Sequence, residues 1–597
     1  MKKFLFVAMS LMISTIILAC GVAGNEESPL GIRFVMETDG TGCPASGLES
    51  EVTGNPKDQL PSSIASLNFI LSNRNGEKLV TTNIIVTNNC NDDYKCTKPN
   101  SPSYQLFNVP TMLNMHLEVQ ALDANSKVIW VGHNYDVDVT LQDDGSGQEV
   151  VNIPVINVFM RRVGNLTFGY DCMEPTGRIF HSATVLRDQT SILLIGGGAK
   201  IYPDSCTATE NGNSIGCDKI VATSLISLFD TTTGSFANMA PLPTSSKRAA
   251  HKSVLLANGY VLILGGASEL QLLYNRDGRA YVQAEEDDIH STAILYNPDG
   301  NTQLDDGTIM KGQVVKEISM LDVKRMAFTI TPLDANEPYA TKFLMAGGWG
   351  KDGRMSDMMT VTLDPSTGSQ EPSFTPLVNA MKAPRAWHTA TKIAAASQTA
   401  NVLFYGGADA GTDAPAEKFV GESSPTELLL QFGNFSTWYN FSHHAAIAMD
   451  SGQKVLITGG MVKDNEFSLT QPQASALLID FTINTATFVT MYNPRAFHSS
   501  MLMPNGQAAI LGGVKGGFTD EGVTTMEAFD ADSAIFGELI GSTGSGLKLF
   551  LGRMGHTTTV TQDGAAVMIG GAYPTPKEGI QREKTLLQSA EIFLPVQ

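Results

Sequence analysis

The sequence has a marked shortage of positive charge. Its 597 residues contain 40 Lys and Arg against 60 Asp and Glu, which gives a formal net charge of -20. A field of that sign repels phosphate backbones and anionic lipid headgroups. We therefore expect no nucleic-acid partner and no peripheral docking on anionic lipid.

The motifs of common catalytic and cofactor sites are also missing. No G-x-S-x-G elbow, Walker loop or G-x-G-x-x-G stands in a β-α-β context. No C-x-x-C is accompanied by the paired histidines of a zinc site. The sequence therefore supports no catalytic residue and no cofactor.

Apolar runs of membrane-spanning length are absent, and the longest one lies at the N-terminus. Lys2 and Lys3 precede an almost unbroken apolar stretch over 4–18. This stretch is shorter than the roughly 20 residues that a spanning helix needs. A positive start followed by a short apolar run is typical of an export signal.

The apolar stretch ends in Leu18-Ala-Cys-Gly21, which resembles the lipobox of bacterial lipoproteins. The resemblance implies that 1–19 are a removed signal peptide, that Cys20 is diacylated and that 20–30 form a tether. Gly21, rather than Asp, after the cysteine implies the outer membrane of a bacterial cell envelope. Leu18 departs from the pattern, in which a smaller residue is commoner. An ordinary signal peptide, with Cys20 incidental, is the alternative.

Cysteine is scarce, and its number fits an exported chain. With Cys20 set aside for lipid, six of the seven cysteines remain, and an even number in an exported chain predicts disulfides. The short separations favour Cys90–Cys96 and Cys206–Cys217, which leaves Cys43–Cys172. Six cysteines allow fifteen pairings, so other connectivities stay open.

The 56 glycines recur as pairs at the ends of apolar runs, in seven copies. The pairs are Gly196-Gly197, Gly265-Gly266, Gly347-Gly348, Gly406-Gly407, Gly459-Gly460, Gly512-Gly513 and Gly570-Gly571. An apolar run that ends in this way predicts a strand buried on both faces, which the chain leaves with positive φ.

A second signature, an Arg followed three residues later by a His, precedes most of the glycine pairs. The copies are Arg178 and His181, Arg248 and His251, Arg385 and His388, Arg495 and His498, and Arg553 and His556. The third copy has Arg325 with Phe328, and the fifth has no Arg but the pair His443-His444. We predict that these residues are structural and locally satisfied, because a metal site gathers its ligands at one point.

The Gly-Gly strands and the Arg-x-x-His signature together resemble the kelch repeat over residues 160–597. The resemblance implies an all-β fold, a seven-bladed β-propeller with four strands in each blade. The last copy lacks its fourth strand, and we predict that the piece at 163–168 supplies it. Copper-radical oxidases also use kelch propellers, but their Tyr, Cys and His set cannot be placed, since no Cys follows Cys217.

Residues 31–158 carry short runs in which apolar and polar side chains alternate. That pattern is typical of strands with one wet face. We predict a separate small β-sandwich, similar to Ig-like or prealbumin-like modules, that acts as a spacer.

Long insertions follow the first two glycine pairs, over 198–221 and 267–289. We predict that both are loops on one rim, where repeat scaffolds usually recognise partners. Acidic residues at 285–288 and at Asp299, Asp305 and Asp306 are candidate calcium ligands. They lack the EF-hand spacing, which favours solvated loops.

The sequence thus favours an envelope-anchored binding or scaffold lipoprotein that recognises a protein or glycan through propeller rim loops. One alternative is a sugar-modifying enzyme that resembles the kelch-type sialic-acid epimerases, with candidates among the repeat arginines. Another is a purely structural attachment protein. Charged residues at the channel mouth would favour the enzyme, whereas an apolar or aromatic rim would favour protein binding.

Overall fold

The structure is a computed structural model and is all-β, built from many small antiparallel sheets. It describes residues 30–35, 60–89, 96–98, 103–143, 149–152, 155–169, 171–203, 205–210, 213–274, 280–334, 340–364, 371–394, 401–408, 416–421, 425–428, 431–432, 441–462, 471–516, 522–575 and 583–596. The predicted signal peptide, Cys20, Cys43 and Cys90 lie outside these residues.

The described chain divides into two units, one holding most of 30–158 and the other holding 128–132 and 159–596. The first unit begins with a strand at Leu30, one residue before the predicted start at 31. One of its sheets joins Ser103–Leu106, Leu30–Val35 and Val155–Phe159 in that order. A second sheet joins Val128–Asp143, Met112–Leu122, Ser66–Ser72, Lys78–Val86 and Cys96–Thr97 in that order. Glu149–Asn152 pairs with Val128–Asp143 at the side of this second sheet.

The second unit contains six four-stranded antiparallel sheets and one larger sheet built around four antiparallel strands, and we number these seven sheets 1 to 7 along the chain. Sheets 1 to 4 are, strand by strand, Ser182–Val185, Ser191–Ile195, Ile226–Asp230 and Ser235–Met239; Lys252–Leu255, Val261–Leu264, Thr292–Gln303 and Ile309–Ser319; Thr329–Pro332, Lys342–Ala346, Met358–Thr362 and Ser373–Pro376; and Thr389–Ile393, Asn401–Tyr405, Glu417–Val420 and Thr426–Glu427. Sheets 5 to 7 are Ala445–Met449, Lys454–Thr458, Gln471–Asp480 and Thr485–Arg495; Ser499–Leu502, Ala508–Leu511, Glu527–Asp530 and Ile535–Glu538; and Thr557–Val560, Ala566–Ile569, Ala590–Leu594 and Asn165–Phe168.

The fourth strand of sheet 7 comes from the beginning of the unit. Asn165–Phe168 pairs antiparallel with Ala590–Leu594, with Asn165 opposite Leu594 and Phe168 opposite Glu591. The predicted pairing of the 163–168 piece with the last repeat is confirmed. The two ends of the unit therefore share one sheet.

The second strand of each sheet is the apolar run before a glycine pair, and it is buried on both faces. Its alternate side chains pack against opposite neighbours. Leu193 and Ile195 of sheet 1 pack with sheet 2, whereas Ile192 and Leu194 pack with sheet 7. Apolar clusters of this kind lie between sheets 1 and 2, 2 and 3, 3 and 4, 4 and 5, 5 and 6, 6 and 7, and 7 and 1.

The first strands follow the same cyclic order as the apolar clusters. The first strand of each sheet contacts the first strand of the next, and that of sheet 7 contacts that of sheet 1. The apolar runs thus require a sheet on either side, because a strand buried on both faces leaves no face for water.

Shorter hairpins leave the sheets just after the glycine pairs. One five-stranded sheet joins Gly198–Tyr202, Asn213–Ala222, Glu269–Tyr274 and Ala280–Gln283 in that order, with Ala208–Glu210 beside Asn213–Ala222. Other hairpins are Trp349–Gly350 with Gly353–Arg354 and Ala572–Thr575 with Glu583–Leu586, and Met461–Val462 pairs with both Phe441–Ser442 and Gln471–Asp480.

The prediction that 198–221 and 267–289 are loops is therefore wrong. Alternate apolar side chains, such as Ile220, Leu270 and Leu272, are fully buried, and this burial favours strands over a solvated loop. Cys206 and Cys217 form a disulfide within the first insertion. Cys96 and Cys172 are disulfide-bonded as well.

Candidate functional site

The six repeat arginines are fully buried within the sheets. Arg178, Arg248, Arg325, Arg385, Arg495 and Arg553 all have 0% of their surface exposed. Five of them donate from Nη1 to the carbonyl oxygen of the first glycine of their own pair, at 2.8 to 3.0 Å. Arg178 instead donates to the Leu225 carbonyl and to Ser227 Oγ. Each guanidinium thus holds its own sheet together.

Four of these arginines also pair with a carboxylate near the start of the third strand. The pairs are Arg325 with Asp357, Arg385 with Glu417, Arg495 with Glu527 and Arg553 with Glu591. Sequence reasoning missed these acids, although Met526-Glu527-Ala-Phe and Ala590-Glu591-Ile-Phe repeat the same pattern. Burial lowers the pKa of Arg178 and of Arg248, which pair with no carboxylate among the described residues, to about 10.

The repeat histidines link each sheet to the preceding one. Nε2 lies 2.8 to 3.1 Å from a hydroxyl oxygen of the preceding sheet in each of six pairs: His181 with Thr557, His251 with Ser182, His388 with Thr329, His444 with Thr389, His498 with Thr458, and His556 with Ser499. Burial lowers the pKa of His181, His444 and His556 to about 3, and that of the other three well below its usual range. These imidazoles are therefore neutral at pH 7.

The glycine pairs form a closed circuit of backbone hydrogen bonds. The second glycine of each pair donates to the carbonyl at the repeat-arginine position of the next sheet, as Gly197 does to Arg248 at 2.8 Å and Gly571 to Arg178 at 2.7 Å. A Cβ added to Gly196 would lie 2.4 Å from the Arg248 carbonyl oxygen. Only glycine allows this approach, which explains the pairs.

A second closed circuit runs through the residue just before the repeat histidine position. Its seven members are Phe180, Ala250, Ala327, Trp387, His443, Phe497 and Gly555, all with φ between 52° and 61°. Each N–H donates to the carbonyl of the member in the preceding sheet, at 2.9 to 3.2 Å, and Phe180 closes the circuit on Gly555. We call this the inner circuit.

Four side chains of the inner circuit meet as an aromatic cluster. Ring centroids lie 5.6 Å apart for Phe180 and Trp387, 5.8 Å for Phe180 and Phe497, 4.7 Å for Trp387 and His443, and 4.2 Å for His443 and Phe497. Sheets 1 and 4 are not neighbours in the cyclic order, so the contact between Phe180 and Trp387 crosses the circuit. Aromatic rings thus fill its centre.

The doublet His443-His444 serves two different purposes. His444 takes the place of the repeat histidine, whereas His443 joins the inner circuit and lies between Trp387 and Phe497. Burial lowers the pKa of His443 well below its usual range. The two rings therefore contact different neighbours.

The hairpins cover this aromatic cluster. Ile220, Leu270, Leu272 and Val282 belong to the same apolar cluster as the inner-circuit side chains. The Trp387 indole N–H donates to the Val282 carbonyl at 3.1 Å. The cluster is therefore a buried core below the five-stranded hairpin sheet.

The outer side of the hairpins keeps aromatic side chains in contact with water. Tyr202 and Tyr281, on the two edge strands of the hairpin sheet, are 46% and 36% exposed. Trp349 on the neighbouring hairpin is partly buried, and the Arg354 guanidinium carbon lies 5.4 Å from its ring centroid. We call these four side chains the hairpin face. Sequence reasoning assigned recognition to the two insertions but as loops, and it named none of these side chains because the insertions carry no recognisable motif.

The acidic insertion residues are dispersed rather than gathered around one point. Glu286 and Asp287 lie near Lys324, Asp288 accepts from Ser268 Oγ and Asp299 lies near Lys311. Within the described part of the chain, no three His, Cys, Asp or Glu side chains come together as a set that could hold a metal ion. Nor does any helix of the described residues have the length and apolarity to cross a membrane.

Comparisons with known proteins find matches among solved structures alone. No family model matches the chain, and no curated protein matches it. Among solved structures, it is similar to a fungal alcohol oxidase of the AA5 family in complex with copper. The two are 14% identical, the match covers 70% of this chain and 74% of that chain, and the TM-score is 0.42.

Proposed function

We propose that residues 160–597 form a seven-bladed kelch-type β-propeller, with sheets 1 to 7 as its blades. The cyclic contacts of the first strands, the seven apolar clusters between sheets and the two closed hydrogen-bond circuits support this arrangement. Radial sheets that close into a ring would bury both faces of every blade. Residues 31–158 would form a β-sandwich spacer.

We further propose that the chain is an outer-membrane lipoprotein, tethered through Cys20, that binds a protein or glycan through the hairpin face. The observation that carries this proposal is the exposure of Tyr202 and Tyr281 on the hairpin sheet, together with the stacking of Arg354 on Trp349 in another hairpin. Tyr, Trp and Arg are the residue types enriched in recognition surfaces, because they offer apolar area together with hydrogen-bonding groups. The disulfide Cys206–Cys217 braces this sheet and reduces the entropy lost on binding.

The alternative of a sugar-modifying enzyme receives less support. It needs arginines that reach a substrate at the channel mouth. The candidates Arg178, Arg248, Arg385, Arg495 and Arg553 have no exposed surface and are bonded within their own sheets. Aromatic rings lie at the centre of the inner circuit instead.

Site-specific photo-cross-linking in the native envelope tests the binding proposal. A photoreactive residue would replace Tyr202 or Tyr281 in the full chain. The matched control replaces Tyr492, which is 67% exposed on the fourth strand of sheet 5 and is not part of the hairpin face. We expect a discrete adduct from positions 202 and 281 but not from 492, and digestion by protease or glycosidase identifies the partner class. The absence of an adduct, or an equal adduct from 492, would overturn the proposal.

A further inference from the structure

Two histidines of the first unit meet on neighbouring strands. His116 lies on Met112–Leu122 and His133 on Val128–Asp143, and these strands adjoin in the second sheet of the unit. The residues on either side of His116 have no exposed surface, so the His116 ring lies on the side of the sheet away from the core. His116 Nε2 and His133 Nδ1 lie 3.0 Å apart, and both side chains are partly buried.

The Tyr135 ring stacks on both imidazoles and keeps their planes nearly parallel. Its centroid lies 4.3 Å from that of His116, with 8° between the planes, and 5.5 Å from that of His133, with 15° between the planes. The two imidazole planes differ by 22°. Because stacking on a common ring restricts the rotation of both imidazoles, the two nitrogens are brought together before any ligand binds.

The distance between the two nitrogens matches that between two ligands of one metal ion. Zinc binds imidazole nitrogen at about 2.0 to 2.1 Å, so two such nitrogens at an angle of about 90° to 109° lie about 2.8 to 3.4 Å apart. The observed 3.0 Å falls within this range. In the metal-free pair one nitrogen donates its proton to the other. On metal binding that imidazole takes its other tautomer, with the proton on its second nitrogen, and both lone pairs become available.

The chemistry of the pair decides which metals fit. Neutral imidazole suits Zn²⁺, Cu²⁺ and Ni²⁺, whereas Mg²⁺ and Ca²⁺ prefer oxygen ligands. The carboxylate of Glu118, which follows His116 by two residues, accepts from Gln120 Nε2 at 2.6 Å. We therefore assign the remaining coordination positions to water. The net charge of -20 also favours the approach of a cation.

We propose that His116 and His133 bind one divalent transition-metal ion, with water in its other coordination positions. The described residues contain no set of three such ligands, so the two imidazoles are what the protein contributes. They lie 17 residues apart on different strands, and no short motif reveals them in the sequence. The site shares no residue with the hairpin face, so the two proposals fail separately.

Metal titrations of the full chain test the site. Zn²⁺ and Cu²⁺ are titrated separately into the metal-free protein, with heat of binding and thermal midpoint as readouts, and Mg²⁺ is the control ion. We expect Cu²⁺ to bind more tightly than Zn²⁺, with no saturable binding of Mg²⁺. His116→Gln and His133→Gln should each lose the site, because the chelate needs both nitrogens. The matched control is His290→Gln, which removes a partly buried imidazole whose Nε2 lies 2.9 Å from the Lys247 carbonyl oxygen.

Copper spectroscopy distinguishes imidazole ligands from adsorption on the acidic surface. Electron paramagnetic resonance of the Cu²⁺-loaded wild-type chain should show coupling to two nitrogens, which is lost in His116→Gln. Binding should also weaken as pH falls from about 7.5 to about 5.5, because protons compete for the same nitrogens.

Four results would overturn the proposal. They are undiminished binding in both His116→Gln and His133→Gln, an equal loss in His290→Gln, a Cu²⁺ spectrum with oxygen ligands alone, and no binding of Zn²⁺ or Cu²⁺ by the wild-type chain. The spectrum of the wild-type chain keeps the test decisive even if a variant folds poorly.

Discussion

The buried ion pair between Arg553 and Glu591 gives the sharpest stability prediction. Neither side chain has exposed surface, and the Glu591 carboxylate also accepts the backbone N–H of Phe550 at 2.8 Å. Glu591→Gln keeps the shape of the side chain but leaves the guanidinium buried without its counter-charge. Breaking a buried pair in this way costs about 3 to 5 kcal/mol.

The matched control is Asp357→Asn, which removes the acid that pairs with Arg325. Asp357 is 44% exposed, so water screens its charge and its pairing with Arg325 contributes less than the fully buried pair does. We expect a cost of about 1 kcal/mol or less there. Urea unfolding, followed by circular dichroism, compares the two variants with wild type. Equal losses, or a loss below about 1 kcal/mol for Glu591→Gln, would refute the assignment of buried charge.

Three further predictions concern the disulfide, the histidines and the aromatic cluster. The double substitution Cys206→Ser and Cys217→Ser is expected to destabilise the hairpin sheet by about 2 to 3 kcal/mol, because the disulfide is lost. Hydrogen exchange should show lower protection of the hairpin-sheet amides and unchanged protection of the first-strand amides. Burial lowers the pKa of His556 in the folded chain to about 3 and lowers the pKa of the other repeat histidines as well, so the unfolded chain binds the proton first. Stability should therefore fall as pH drops from about 6.5 towards 3, by about 1.4 kcal/mol per pH unit for each histidine, and His556→Gln should reduce that slope. Phe497→Ala should cost about 3 to 5 kcal/mol in urea unfolding, against less than about 0.5 kcal/mol for Val378→Ala, whose side chain is 98% exposed.

Much of the sheet architecture could be predicted because its determinants repeat. Burial on both faces needs an apolar run, and the close approach of Gly196 to the Arg248 carbonyl needs glycine, so both leave a pattern in the sequence. The strand at 165–168 could be placed because the last repeat was one strand short. These features follow from local residue types at a fixed spacing.

The inner circuit and the hairpin face could not be predicted, because residue type does not encode them. Six of the seven inner-circuit residues adopt positive φ without being glycine, among them Phe180 and Trp387. This conformation is unfavourable for an isolated residue and is held by the circuit of hydrogen bonds. The pairing of Asn213–Ala222 with Glu269–Tyr274 joins the insertions of two different repeats, so no single repeat reveals it.

Replacing the strand that the beginning of the unit contributes to sheet 7 tests the closed ring most directly. Asn165–Phe168 would be replaced by a flexible four-residue linker, and the control would replace Ile535–Glu538, the fourth strand of sheet 6, in the same way. Small-angle scattering and thermal unfolding compare both variants with wild type. A closed ring predicts that the first change increases the radius of gyration and broadens or splits the transition, whereas the control only lowers its midpoint. Equal behaviour of the two variants, or an unchanged radius and melting curve for the first, would contradict the closed ring.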